Sequence, residues 1–335
     1  MLRWLLDADE RRDVNTWIDG MDAAIETPDR TRRASFVQRL ARRAGDAPLA
    51  ACVGIDPSSD ALALLEGIGP FAKTRDGRIG RAGAIERFAG LVIESARDHA
   101  VAVKPQVAWF EAAGAPGMRA LERTVEFART AGLLVVLDAK RGDVPHSAAA
   151  YADAWIGDLA SAGHGVDALT VNATVGRDSV DAMARIAADR SCALYALLHT
   201  SNPGAATLQG APLEGGEPWW QLLARELAGS DADVGGGIVG AVVGGTRPEL
   251  LAEARGLLPA APLLVPGIGA QGGTIEGLAQ LVARSAGAPT TLVVAARSLL
   301  PTEPCSTPAF RHAVDSAASR LAADLARVGA HEPVL

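Results

Sequence analysis

Two acidic residues and a lysine are spaced as Asp138-x-Lys140-x-x-Asp143 at the end of an apolar run, LLVVLDAKRGD. Alternate side chains of a strand point to the same side, so Asp138 and Lys140 share one face and Ala139 takes the other. Opposite charges at the end of a buried strand are costly unless they are paired. A lysine between carboxylates stays protonated. The pattern therefore predicts a proton donor beside carboxylates that oppose a substrate anion.

Two more charged residues end apolar runs of the same kind. Asp56 follows LAACVGI, and Lys104 ends VAVK. In a parallel barrel all strands deliver such residues to one mouth, where Lys104 and Asp143 would add a second ion pair. The residues leave one alternative open, a plain ion-pair network that closes the top of the fold.

A glycine-rich loop follows a later apolar run, in LLVPGIGAQGG. Gly267-x-Gly269-x-x-Gly272 formally matches a dinucleotide fingerprint, but no ribose-binding acid follows about 20 residues later. We expect the loop to bind phosphate through backbone N–H groups, with Gln271 and Arg297 beside it. The alternative for Arg297 is a surface residue that caps the last helix.

The run that ends LLHTSNPGAATLQG places Ser201 and Asn202 at the same mouth. The glycine-rich stretch from Gln209 to Gly216 is long enough for a lid over the site. A short hairpin-like connection is the alternative.

Eight short apolar runs must position these residues. Segments with helical periodicity separate most of them, which predicts a (β/α)₈ TIM barrel in one domain, residues 35–335. An open parallel sheet is the alternative. Residues 1–34 lie outside the repeat, and their apolar spacing predicts a helical extension. The runs are Leu49–Ile55, Val101–Lys104, Leu133–Asp138, Ala168–Asn172, Ala193–Leu198, Ile238–Val243, Leu263–Pro266 and Leu292–Ala295.

The composition excludes several classes of protein. The 335 residues are 49% hydrophobic and carry a net charge of −7, so neither general disorder nor nucleic-acid binding is expected. No apolar stretch reaches the roughly 18 residues of a membrane helix. Three cysteines without C-x-x-C spacing, and histidines without zinc-ligand spacing, predict a cytoplasmic protein without a metal site.

Several stretches together resemble the orotidine 5′-phosphate decarboxylase family, in its longer bacterial subgroup. They are CVGIDP, VKPQVAWFE, DAKRGD, TSNPGA and LVPGIGAQGG, and the similarity runs in order from about Ser35 to Pro301. The resemblance implies a homodimeric barrel that converts orotidine 5′-monophosphate to UMP and carbon dioxide, without metal or organic cofactor. It therefore implies a nucleotide substrate and no nucleic-acid or membrane partner.

The resemblance also implies a role for individual residues. Lys140 would protonate C6 of the pyrimidine, Asp138 would lie against the departing carboxylate, and Lys104 would complete the charge chain. Asp143 would reach the neighbouring subunit's site, with Val144 and Ser147 beside it. The residues implied to bind substrate are Asp56, Ser147, Ser201, Asn202, Gln209, Pro266, Gln271 and Arg297.

Some residues depart from the family's pattern, and two other functions stay open. Ser147 stands where threonine is usual, Ala173–Val175 differ from the usual sequence, and His199 is atypical before the TSNPG turn. One alternative is a metal-dependent sugar-phosphate decarboxylase or aldolase of a sister family. The other is a nucleotide-binding homologue that has lost catalysis.

Overall fold

The structure is a computed structural model, and it describes residues 34–68, 75–156, 165–269 and 271–330. The helix predicted within residues 1–34 lies outside this part of the chain. Among the described residues, no helix combines the length and the apolar composition that crossing a membrane requires.

Eight parallel strands close into a barrel in chain order, which confirms the predicted TIM barrel over the open sheet. The closure is direct, because β1 pairs with both β2 and β8. The strands are β1 Leu49–Ile55, β2 Ala102–Pro105, β3 Leu134–Arg141, β4 Ala168–Val171, β5 Ala193–His199, β6 Val239–Val243, β7 Leu263–Pro266 and β8 Thr291–Ala295.

Helices follow the strands and cover the barrel. Their apolar faces pack on the outward side chains of the strands in one continuous core. They are α1 Phe36–Ala44, α2 Ser59–Ala63, α3 Arg75–Ala96, α4 Val107–Glu111, α5 Gly114–Thr130, α6 Pro145–Trp155, α7 Arg177–Asp189, α8 Gly204–Leu208, α9 Trp219–Asp233, α10 Pro248–Leu257, α11 Ala279–Ala283 and α12 Thr307–Gly329, with 3₁₀ turns at Glu276–Leu278 and Arg297–Leu299.

A second apolar cluster fills the inside of the barrel at its amino-terminal end. Helix α1 contributes Phe36 and Leu40, both fully buried, and the Phe36 ring meets the Tyr195 ring edge-on at 6.0 Å. Ser35 begins this helix with a capping box, in which its side chain accepts a hydrogen bond from the Gln38 amide. These side chains pack the amino-terminal end of the barrel, and the cavity opens at the carboxyl-terminal mouth.

Strand β3 continues three residues beyond its predicted end at Asp138, to Arg141. The ladder with β4 pairs Leu137 with Leu169 and next pairs Arg141 with Val171, so β3 carries a bulge. Within it Lys140 has a φ of +47°, a left-handed conformation that costs a non-glycine residue free energy. The strand was predicted to end at Asp138 because the apolar run of the sequence stops there and mostly charged residues follow.

Candidate active site

A cavity of about 300 Å³ opens at the carboxyl ends of the strands. Nine of the residues predicted for the site line it. They are Asp56, Lys104, Asp138, Lys140, Ser201, Asn202, Pro266, Gln271 and Arg297. Asp143, Ser147 and Gln209 do not line it.

Asp138 lies at the centre of the hydrogen bonds in this cavity. Its Oδ2 accepts from Lys104 Nζ at 2.5 Å and from Gln106 Nε2 at 3.0 Å. Its Oδ1 accepts from Lys140 Nζ at 2.5 Å and from Thr170 Oγ1 at 3.0 Å. Four donors therefore fix one carboxylate, which suits a buried charge that has lost its water.

The two lysines hold Asp138 ionised. Burial alone would raise the pKa of this carboxyl, but Lys104 and Lys140 outweigh it and lower the pKa to about 2. The pKa of Lys104 is raised, because the charges of Asp138 and Asp56 outweigh the effect of burial on its ammonium group. Both groups are thus charged throughout the physiological range.

Exposure separates the roles that the two lysines can take. The side chain of Lys104 is 7% exposed, whereas that of Lys140 is 44% exposed and faces the cavity. A ligand in the cavity therefore reaches the Lys140 ammonium directly. Lys104 instead lies beneath it as a fixed positive charge.

Asp56 offers an acceptor at the edge of the charge network. Its Oδ1 is buried and has no hydrogen-bond partner among the described residues. A buried acceptor left unpaired is costly, so the position favours a ligand that donates a hydrogen bond, such as a hydroxyl group. Its influence on the Lys104 pKa indicates that the two charges interact.

In the glycine loop after β7, which the sequence predicted to bind phosphate through its amides, three of those amides bond within the loop. The amides of Gly269, Gly272 and Gly273 donate to Gly273 O, Gly269 O and Gly267 O within the loop. The glycines are needed for this tight fold: a Cβ on Gly273 would lie 2.6 Å from Gly267 O. The side chains of Gln271 and Arg297 both line the cavity, where they can bind an anion.

The loop after β5 contacts the glycine loop directly. Ser201 Oγ donates a hydrogen bond of 2.7 Å to Gln271 Oε1. Gln209 lies on the other side of this segment, where its Oε1 accepts from the Thr200 amide at 2.8 Å. The stretch predicted as a lid therefore contacts Thr200 through Gln209, and its residues do not line the cavity. It follows α8 and forms a turn that is closed by a bridge between Pro212 and Pro218.

Asp143 and Ser147 lie beside the cavity, on the segment that leads from β3 into α6. The Asp143 carboxylate accepts from the Val144 amide at 2.7 Å, and its carbonyl accepts from Ser179 Oγ. Three large apolar side chains are exposed on α6 and on the loops before it and after β4: Val144, Tyr151 and Val175. The sequence predicted a second ion pair at the mouth that would involve Lys104 and Asp143. Within one chain, Lys104 instead pairs with Asp138.

Two residues that donate hydrogen bonds to Asp138 were not predicted from the sequence. Gln106 and Thr170 line the cavity and donate to Asp138. The period of two along β2 was the available signal for Gln106, two residues after Lys104. His199, which the sequence marked as atypical, is buried against Trp220 with ring centroids 6.3 Å apart and does not line the cavity.

Comparison with known proteins identifies the family to which this site belongs. Residues 51–304 match the family described as "Orotidine 5'-phosphate decarboxylase / HUMPS family". The chain belongs to this family. It is 39% identical to the orotidine 5′-phosphate decarboxylase of Rhodopirellula baltica over 243 residues, 71% of this chain and 80% of that protein.

Further relatives extend the match of this decarboxylase-family chain. It is 37% identical to the orotidine 5′-phosphate decarboxylase of Streptomyces coelicolor over 290 residues, 86% of this chain and 94% of that protein. The structure of Leishmania donovani OMP decarboxylase superposes with a TM-score of 0.68 at 29% identity, and covers 88% of this chain and 99% of that one. The described residues hold no group of three or more His, Cys, Asp or Glu side chains suited to a metal ion.

Proposed function

We propose that this chain decarboxylates orotidine 5′-monophosphate to UMP and carbon dioxide, as a carbon–carbon lyase of de novo pyrimidine biosynthesis. One observation carries the proposal. The Lys104–Asp138–Lys140 chain of ion pairs lies in the same cavity as Gln271 and Arg297. A nucleotide can therefore place its base on the charge network and its phosphate at the opposite side.

In the proposed step, the bond between C6 and the carboxylate carbon breaks, and its electron pair stays on C6. Carbon dioxide leaves, and a proton passes from Lys140 Nζ to C6. Asp138 would lie against the substrate carboxylate, so the repulsion between the two anions would be relieved as carbon dioxide departs. Lys140 is the donor because its ammonium group is the exposed one of the pair.

The barrier is too large for Lys140 alone. Enzymes facing slow reactions of this kind supply roughly 20 kcal/mol, whereas one preorganised electrostatic contact supplies about 3–4 kcal/mol. We assign the remainder to binding at a distance from C6, by Arg297 and Gln271 at the phosphate and by Asp56 and Lys104 at the ribose hydroxyls. The unpartnered Asp56 Oδ1 supports the ribose assignment.

Ser201, Asn202 and Pro266 complete the proposed substrate site around the pyrimidine. All three line the cavity. Gln209 would act at the phosphate once the segment it belongs to turns toward the cavity, and its present bond to Thr200 marks the contact that would change.

We propose that the active enzyme is a homodimer with shared sites. Asp143 would enter the partner's cavity, with Val144 and Ser147 beside it. Two observations support this: Asp143 lies outside its own chain's cavity, and the apolar side chains of Val144 and Val175 are 56% and 48% exposed nearby. Contiguous apolar surface is typical of protein–protein interfaces, and a partner that covers Val144 and Val175 would remove both from water.

We also propose a single catalytic domain over residues 35–335, with residues 1–34 as an appended segment, in a cytoplasmic protein. Barrel elements from α1 to α12 span the described part of this range. The thiol state of Cys52, Cys192 and Cys305 fits a reducing compartment.

One assay tests the proposed activity. Purified, metal-stripped protein is incubated with orotidine 5′-monophosphate, and loss of the orotate absorbance is followed. Turnover that survives chelator supports the proposal. No turnover of orotidine 5′-monophosphate, with metal-dependent turnover of a sugar phosphate, would support the sister reaction instead. Tight UMP binding without turnover would support a non-catalytic homologue.

A further inference from the structure

We infer that Thr170, on β4, is a positioning residue that holds Lys140 in its reactive geometry. The inference rests on the proposed function, because it concerns the lysine that would donate the proton. Thr170 is 1% exposed, and no charge or motif marks it in the sequence. Its hydroxyl nevertheless contacts both members of the Asp138–Lys140 pair.

The ladder between β3 and β4 explains why a side chain is needed at this point. Leu137 pairs with Leu169, and the next pair joins Arg141 to Val171. Three residues of β3, from Asp138 to Lys140, therefore stand opposite the single residue Thr170. A regular ladder cannot be maintained across such a mismatch, so the bulged segment needs another partner.

The Thr170 hydroxyl is that partner. Its Oγ1 accepts a hydrogen bond from the Lys140 amide at 2.9 Å, in place of a backbone carbonyl of β4. Lys140 has a φ of +47° at this point. A non-glycine residue keeps such a conformation only when its surroundings enforce it, and this hydrogen bond is a direct constraint on that backbone.

The same hydroxyl orients the carboxylate that pairs with Lys140. Thr170 Oγ1 donates to Asp138 Oδ1 at 3.0 Å, and Lys140 Nζ donates to that same oxygen at 2.5 Å. One hydroxyl thus fixes the lysine at its backbone and, through Asp138, at its ammonium group. The direction of each bond is settled by chemistry, since the amide can only donate and the carboxylate can only accept.

The test compares two substitutions that differ in the hydroxyl. Thr170→Val keeps the shape of the side chain but removes both hydrogen bonds, and Thr170→Ser keeps the hydroxyl. We expect Thr170→Val to lower kcat for orotidine 5′-monophosphate by about tenfold to a hundredfold, with KM and the Kd of UMP within about threefold. Thr170→Ser is expected to restore kcat to within about threefold. Equal kcat in the two variants would overturn the inference.

Gln106 supplies a matched comparison, because it also donates a hydrogen bond to Asp138. Its acceptor is Oδ2, whereas Lys140 bonds to Oδ1. Gln106→Met removes a neutral donor to the same carboxylate without touching the Lys140 backbone. We expect a smaller loss of kcat from it than from Thr170→Val. A loss of the same size would show that support of Asp138 alone explains the effect, and the role at Lys140 would be wrong.

A crystal structure of the Thr170→Val variant tests the positioning role of Thr170 independently of enzyme activity. We expect Lys140 to leave its positive φ and its Nζ to move away from Asp138 Oδ1. If Lys140 keeps both features, the positioning role is wrong even for an active enzyme. If the unchanged protein fails to decarboxylate orotidine 5′-monophosphate, the proposed function fails, while this structural comparison still decides the inference.

Discussion

Ser201 Oγ lies 2.7 Å from Gln271 Oε1 and joins the loop after β5 to the glycine loop after β7. The two loops belong to opposite ends of the proposed nucleotide site, one at the pyrimidine and one at the phosphate. A hydrogen bond between them lets occupation of the phosphate side bias the position of the loop at the base. Binding energy from the phosphate can thereby assist the reaction at C6.

Arg297→Ala tests the phosphate assignment. We expect KM for orotidine 5′-monophosphate to rise at least about a hundredfold, because a bidentate guanidinium–phosphate contact is lost. Inhibition by uridine, which lacks the phosphate, should change less than about threefold. Steady-state kinetics with both ligands measure the difference.

Arg311→Ala is the control for this change, since Arg311 is an exposed arginine of α12 that pairs with Glu94. Arg311→Ala should leave both the KM for orotidine 5′-monophosphate and the inhibition by uridine unchanged. Equal weakening of nucleotide and nucleoside by Arg297→Ala would remove Arg297 from the phosphate site.

Lys140→Ala tests the proton donor. We expect kcat to fall by at least about 10³-fold, because the donor and part of the charge network are lost together, while UMP still binds measurably. Lys140→Arg restores a positive charge on a group with a pKa above about 12, which is a poor acid, and it should remain nearly inactive. Single-turnover decarboxylation and UMP titration provide the two readouts.

An alanine variant with the kcat of the unchanged enzyme would contradict the assignment. Recovery of most activity in Lys140→Arg would mean that position 140 acts by its charge and not as an acid.

The sequence predicted the residues whose charge and strand-end position coincide. Asp56, Lys104, Asp138 and Lys140 each follow or end an apolar run, and the barrel then brings those ends to one mouth. The cost of burying charge made their pairing predictable as well. Arg297 followed from the same reasoning at the end of β8.

What the sequence could not predict depended on local backbone geometry. The bulge in β3 arises from a mismatch with β4, which no property of either strand alone reveals, so Thr170 was missed. The glycine loop was expected to bind phosphate through its amides. Three of those amides bond within the loop, and only the path of the chain decides between internal bonds and ligand contacts. Asp143 does not line the cavity of its own chain, which agrees with the proposed site across a dimer.

The charge on Asp138 makes stability depend on pH in the acidic range. Its pKa is lowered to about 2 in the folded protein, against an ordinary value of 3.8, so ionisation stabilises the fold above about pH 4. This contribution, about 2 kcal/mol, is lost as the pH falls through 2. We expect the difference in unfolding free energy between the unchanged protein and Asp138→Asn to shrink by that amount between pH 5 and about 2. Urea unfolding measures it.

Asp98→Asn is the control, because that carboxylate is 80% exposed. It controls for the general effect of removing one surface carboxylate on the free energy of unfolding over the same range. A difference for Asp138→Asn that does not change with pH would mean that this carboxyl titrates normally.

Mixing two inactive variants tests the shared site. Lys140→Ala and Asp143→Ala each disable a homodimer, but a mixed dimer has one site that combines an intact Lys140 with the partner chain's intact Asp143. After subunit exchange about half of the dimers are mixed, each with one intact site of two, so about a quarter of the original activity should return. The matched control mixes Lys140→Ala with Asp138→Ala. Both residues lie in the cavity of the same chain, so neither site of that mixed dimer is intact and no activity should return. Recovery in the control, or none in the first mixture once exchange has been verified by mass spectrometry, would mean that Asp143 does not act across the dimer.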